Sequence, residues 1–197
     1  MDRRIISLYK KLLSQFGPKK WWPANSDYEV VIGAILTQNT NWKNVEKAIS
    51  NLRAAKKLNE KSILKMQDAE LETLIRPSGF YKQKAERLKL ATRKWMELKD
   101  SRDLTLEELR TELLSVKGIG KETADSIILY AFHRPIFVID AYTRRFCKEF
   151  FDVEFRDRDY DEYRKFFESA LPNDVALFKE YHALIVEWGK QNNKLHL

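Results

Sequence analysis

Two features of this 197-residue chain could do chemistry: a glycine hairpin, Val116-Lys117-Gly118-Ile119-Gly120-Lys121-Glu122-Thr123, and the carboxylate of Asp140, eighteen residues after Glu122. Gly118 and Gly120 lack a Cβ and can take positive φ, so the chain can reverse tightly and turn successive N–H groups outward as an anion nest. A helix opening near Lys121 would add its positive end, and together these amides would hold one backbone phosphate. Such a contact positions a nucleic acid and reads no bases. The same Gly-x-Gly also serves as an ordinary tight turn between packed helices. Asp140 follows after one helix and one turn, where a carboxylate could stabilise developing positive charge and orient or deprotonate a water. An aspartate directly before Ala141-Tyr142-Thr143 is equally suited to capping a helix.

The elements that must position these groups read as helical nearly throughout. Ile5, Ile6, Leu8, Leu12, Leu13 and Phe16 recur at helical spacing before Gly17-Pro18, and residues 28–36 form a helix behind a cap at Ser26 or Asp27. Val45, Ile49 and Leu52 mark the next helix, followed by helices over 63–66, 70–75, 82–96, 106–114 and 121–132. The apolar run 136–139 could be a buried strand, but Pro135 before it and Asp140 after it fit a loop entering a helix. The charged stretch 152–164 reads as a solvated turn and helix face.

Composition narrows the function classes. Lys and Arg number 36 against 29 acidic residues, a net charge of +7 that favours a polyanionic partner, although it also serves solubility. One cysteine excludes a disulfide framework within a monomer and points to a reducing compartment. No apolar run approaches a membrane span, and the start lacks a signal-like core, so a cytoplasmic, nucleoid-associated monomer without membrane contact is expected. His133, His182 and His196 lack metal-ligand spacing, and no catalytic metal is expected.

The hairpin, the later Val138-Ile139-Asp140, Leu36-Thr37-Gln38-Asn39-Thr40, Arg76-Pro77-Ser78-Gly79-Phe80-Tyr81 and His182-Ala183-Leu184-Ile185-Val186-Glu187 stand in an order that resembles the helix-hairpin-helix DNA glycosylases, the endonuclease III relatives. Trp21-Trp22-Pro23, with the Leu36 and Arg76 segments, is most like the bacterial 3-methyladenine glycosylase III type. The resemblance implies an all-α fold of two helical subdomains with an active cleft between them. A barrel over 22–134 would contain the helix-hairpin-helix at about 106–132, and 1–21 would pack with 135–197.

It further implies a DNA glycosylase of base excision repair acting on double-stranded DNA with a damaged or mispaired base. Asp140 would stabilise the sugar cation. Bifunctional members carry a lysine where this chain has Glu122; a carboxylate forms no Schiff base, and Lys121 is offset by about 100° round a helix, so a monofunctional enzyme without lyase activity is expected. Glu122 would contact the base or simply favour the first turn of its helix. Trp21 and Trp22 beside Pro23, with Trp42, stand where the type builds its base pocket, and the tryptophan faces would attract a cationic alkylated purine such as 3-methyladenine; the tryptophans would equally suit a core. Gln38 would fill the gap left by a flipped base, or be a surface amide. Lys117, Gly118, Ile119, Gly120, Lys121 and Thr123 would meet DNA. The four cysteines of an iron–sulfur cluster are missing, so no cluster is expected, while a structural monovalent cation at the hairpin carbonyls is compatible with the family. The alternatives are a mismatch-specific uracil or thymine glycosylase, and a non-catalytic helix-hairpin-helix DNA-binding protein.

Overall fold

The computed structural model describes residues 3–19, 21–101, 103–153 and 160–192, and among these are eleven α-helices and one 3₁₀ turn. In order they are α1 (Arg3–Phe16), α2 (Asp27–Leu36), α3 (Trp42–Ala54), α4 (Glu60–Lys65), α5 (Asp68–Ile75), the 3₁₀ turn Arg76–Ser78, α6 (Tyr81–Leu98), α7 (Leu106–Leu114), α8 (Lys121–Tyr130), α9 (Ala141–Phe151), α10 (Tyr160–Glu168) and α11 (Val175–Asn192). No strand occurs among the described residues, so the architecture is all-α. His196 and residues 154–159 of the charged stretch lie outside the described residues.

The chain divides into two units, Met1–Pro23 with His133–Leu197, and Ala24–Phe132. In the second, α2 is buried from Tyr28 to Leu36 and apolar over that stretch save for Glu29, whose carboxylate accepts from Arg53 at 2.6 Å, as befits a helix surrounded by others. Ser26, the cap anticipated with Asp27 as the alternative, accepts the Glu29 amide and starts it. α6 packs against α2, α4, α5 and α7. α7 opens on a capping box, Thr105 with Glu108, which satisfies two of the amides that a helix start leaves unbonded.

The first unit is built on aromatic rings. Phe137 stacks on Phe167 with centroids 4.2 Å apart, and Phe178 and Tyr181 meet Phe137 edge-on. Tyr181 is fully buried and donates its hydroxyl to Ile5 O at 2.9 Å, tying α11 to α1.

Candidate functional site

Asp140 is delivered by an unusual segment. Residues 136–139 are buried yet belong to no helix or strand among the described residues, so their amides need other acceptors. Phe137 N donates to Glu168 Oε1 at 2.9 Å and Ile139 N to Tyr160 Oη at 3.2 Å. The run is therefore a pinned loop, as the flanking Pro135 and Asp140 suggested. At its end Asp140 caps α9: Oδ1 accepts the Thr143 amide at 2.7 Å and the Thr143 hydroxyl at 2.9 Å. Oδ2 faces His182 Nε2 at 3.4 Å, with 15% of the aspartate side chain accessible. Burial opposes ionisation most strongly, but the His182 imidazole and the two Thr143 donors outweigh it and hold the Asp140 pKa below the ordinary carboxylate value. The result is a fixed negative charge with one oxygen committed to a helix start.

The hairpin lies between α7 and α8. Gly118 takes φ +90°, as expected, but Gly120 does not: at φ −94° and ψ 178° it has the extended backbone of an N-cap residue. The reversal is thus made at one glycine, because Ile119 N–H closes the turn onto Val116 O at 3.0 Å and the next residue already enters the helix. Ile119 is buried and anchors the loop, while Lys117, Gly120, Lys121 and Glu122 are exposed. Lys117 Nζ lies 2.9 Å from Glu86 Oε1, a pair exposed on both sides and easily exchanged for another anion. Beneath the loop, Arg110 and Asp125 form a buried ion pair, Nε to Oδ1 at 2.7 Å, that joins the flanking helices.

Gln38, expected to fill a gap in a base stack, is turned onto the hairpin. Its Nε2 donates to Gly118 O at 3.0 Å and Thr123 Oγ1 at 3.1 Å, and its Oε1 accepts from Arg87 Nη1 at 2.7 Å. With the glutamine held in this way, the exposed side chain of that turn is Asn39, at φ +52°.

The tryptophans separate. Trp21 and Trp22 are half-buried neighbours with centroids 5.9 Å apart, and Lys190 Nζ sits 5.1 Å from the Trp21 ring centre. Pro23 beside them is exposed. These residues share a unit with Asp140, whereas Trp42, Glu122, Gln38 and the hairpin belong to Ala24–Phe132. Trp42 opens α3 and donates its indole N–H to Glu46 Oε1 at 3.1 Å.

Sequence reasoning missed three groups. His182 stands in the family-like segment and lacks metal-ligand spacing, but neither gives it a role; its placement beside Asp140 needs the tertiary fold. Phe80 is 63% exposed at φ +45°, directly after Gly79 at φ +69°, and only the Gly-Phe pair hinted at a tight turn. Lys84 is fully buried and donates to Leu36 O at 2.9 Å and Ser78 O at 2.7 Å, bridging the turns that carry Asn39 and Phe80. No group of three or more His, Cys, Asp or Glu side chains suited to a metal occurs among the described residues. No helix there is long and apolar enough to cross a membrane.

An all-helical chain with a glycine hairpin opening a helix, followed by a capping aspartate, defines a class of DNA-repair fold. Residues 32–173 match the HhH-GPD superfamily of base excision DNA repair proteins, and the chain belongs to this endonuclease III-like superfamily. It is 49% identical over 195 residues to a Methanocaldococcus jannaschii protein named "Putative DNA repair glycosylase MJ1434", covering 95% of this chain and 87% of that one. Among solved structures, Helicobacter pylori 3-methyladenine DNA glycosylase MagIII bound to 1,N6-ethenoadenine superposes with a TM-score of 0.77 at 34% identity, covering 96% of this chain and 95% of the other. A trapped endonuclease III–DNA covalent intermediate shares the fold with a TM-score of 0.78 at 19% identity, covering 97% and 87%.

Proposed function

We propose that this protein is a monofunctional DNA glycosylase that hydrolyses the N-glycosidic bond of a flipped alkylated purine in duplex DNA and leaves an abasic site. The observation that carries the reaction is Asp140, a part-buried carboxylate held ionised and oriented by Thr143 and His182. Departure of the base leaves positive charge on the sugar, and a preorganised anion stabilises that charge without having to reorient. The hairpin amides and the start of α8 hold a backbone phosphate, and Lys117 and Lys121 add exposed charge. Extrusion of the nucleotide disrupts the stack, where Asn39 and the exposed Phe80 ring offer side chains from two turns to fill the gap. Glu122 at the hairpin supplies no amine, so hydrolysis proceeds without a covalent enzyme–DNA intermediate.

The likeness to MagIII over nearly the whole chain supports an alkylated purine, and Trp21 with Trp22 offers π faces for a cationic base. One observation favours a second reading. Lys190 already lies over Trp21, and a cation there disfavours a second one, which suits a neutral base such as uracil or thymine mispaired with guanine. Duplexes carrying a single ethenoadenine, G·U or G·T pair, together with methylated DNA, decide between these readings when alkali-dependent strand cleavage is followed on gels. Cleavage at alkylated purines supports the first; cleavage confined to mismatches supports the second. No cleavage with retained duplex binding would leave a DNA-binding protein.

A further inference from the structure

We propose that Arg87 is a second phosphate ligand of the hairpin: its guanidinium takes a DNA backbone phosphate beside the one held by the hairpin amides, and Gln38 aims it there. The inference rests on the proposed DNA binding through the hairpin and adds a residue that neither the motif nor the position of the glycines assigns.

Arg87 lies on α6, yet its side chain runs directly against the hairpin. A Cβ on Gly118 would fall 2.5 Å from Arg87 Nε and 2.6 Å from its Cδ and Cγ. Glycine at 118 therefore serves two ends, the positive φ of the turn and the room for an arginine stem. The direction of the guanidinium is set by one hydrogen bond, Nη1 to Gln38 Oε1 at 2.7 Å, and Gln38 is itself held by its two bonds to Gly118 O and Thr123 Oγ1. Only one orientation of the glutamine amide satisfies this network, with its oxygen toward the arginine.

The chemistry of that partner is the telling point. A carboxylate would neutralise Arg87; an amide orients it and leaves its charge intact. Among the described residues Arg87 meets no carboxylate, although it is half-buried and has further N–H donors beyond the one spent on Gln38. Cations near the same loop are treated differently: Lys117 pairs with Glu86 and Arg110 with Asp125. The local excess is increased by Lys84, three residues earlier on α6, whose pKa is pushed down to about 8 by burial and then by the Arg87 charge. Half-burying an uncompensated guanidinium is costly in the isolated protein, and an incoming phosphate would remove that cost. The planar fork of arginine suits phosphate oxygens in pairs, which a lysine at 87 would not reproduce.

The test is binding of a short fluorescein-labelled undamaged duplex across a series of salt concentrations, with thermal unfolding measured in parallel. Arg87→Gln and Arg87→Met, the latter keeping an apolar stem against Gly118, should weaken binding and lower the slope of log Kd against log salt by about 0.9, one phosphate's worth. Arg87→Lys should keep the slope and lose affinity severalfold. A wild-type slope in folded Arg87→Gln and Arg87→Met would overturn the proposal, while a reduced slope in Lys121→Ala would show that the hairpin reading survives it. Unfolding of both neutral variants would also overturn it, by making Arg87 a purely structural residue. If the wild-type protein does not bind the duplex, the hairpin reading itself fails and this inference falls with it.

Discussion

Asp140 caps α9 and is also the proposed catalytic carboxylate, and substitution can separate the two roles. Asparagine caps helices about as well as aspartate, so Asp140→Asn keeps the start of α9 while removing the charge that faces His182. Bonds from Thr143 to a charged acceptor are worth about 1 kcal/mol more than to a neutral one, which for a protein of this size lowers Tm by about 2–4 °C at pH 7. Asp140→Ala also loses the cap, a further loss of about 1 kcal/mol. Because the folded-state pKa of Asp140 is depressed, the stability contributed by its ionised form is present above the ordinary carboxylate range and is lost as pH falls through the folded value. The Tm gap between wild type and Asp140→Asn should therefore close on acidification to below about pH 4. Under single turnover Asp140→Asn should excise at least about tenfold more slowly, equivalent to about 1.4 kcal/mol in the barrier, with duplex affinity retained. An excision rate like that of wild type in this folded variant would falsify the catalytic assignment, and a Tm gap that widens in acid would refute the account of the charge.

Gly118→Ala forces a Cβ into the left-handed region and into Arg87, and should cost about 1–2 kcal/mol and lower Tm by about 2–8 °C in calorimetry. Gly120→Ala meets open space at an ordinary φ and should leave Tm unchanged while weakening duplex binding; equal Tm losses in the two variants would contradict the single-glycine turn. Between about pH 8 and 10.5 Lys84 is protonated only when unfolded, so wild-type stability should rise across that window relative to Lys84→Met, as read from denaturant midpoints; a flat difference would refute it. Trp21→Ala should slow release of a cationic alkylpurine by about two- to thirtyfold more than release of a neutral one, the range of cation–π energies, whereas equal losses would make Trp21 a core residue.

Local signals in the chain foretold the helices and the hairpin well. The apolar spacing of Ile5 to Phe16 and the Ser26 cap correspond to α1 and α2, and Pro135 correctly argued for a loop before Asp140. These features depend on neighbours a few residues apart. What could not be read depends on distant partners. Gln38 sits on an exposed-looking turn in the sequence, but its acceptors and donor lie 49 to 85 residues away, at Arg87, Gly118 and Thr123. His182 meets Asp140 only because α11 packs on α9. Gly120 misled because a Gly-x-Gly pair shows where the chain is free to turn without showing which residue turns. The Lys190 ammonium over Trp21 likewise has no local signature.

Hydrolytic release of an alkylated purine, the proposed reaction, is read out by chromatographic identification of the base freed from a methylated duplex under single turnover. The products should be free 3-methyladenine and a strand that stays intact until alkali is added, with no enzyme–DNA adduct on borohydride treatment. Release of only uracil or thymine from mismatches with guanine, or spontaneous strand breaks accompanied by a borohydride-trapped adduct, would contradict it.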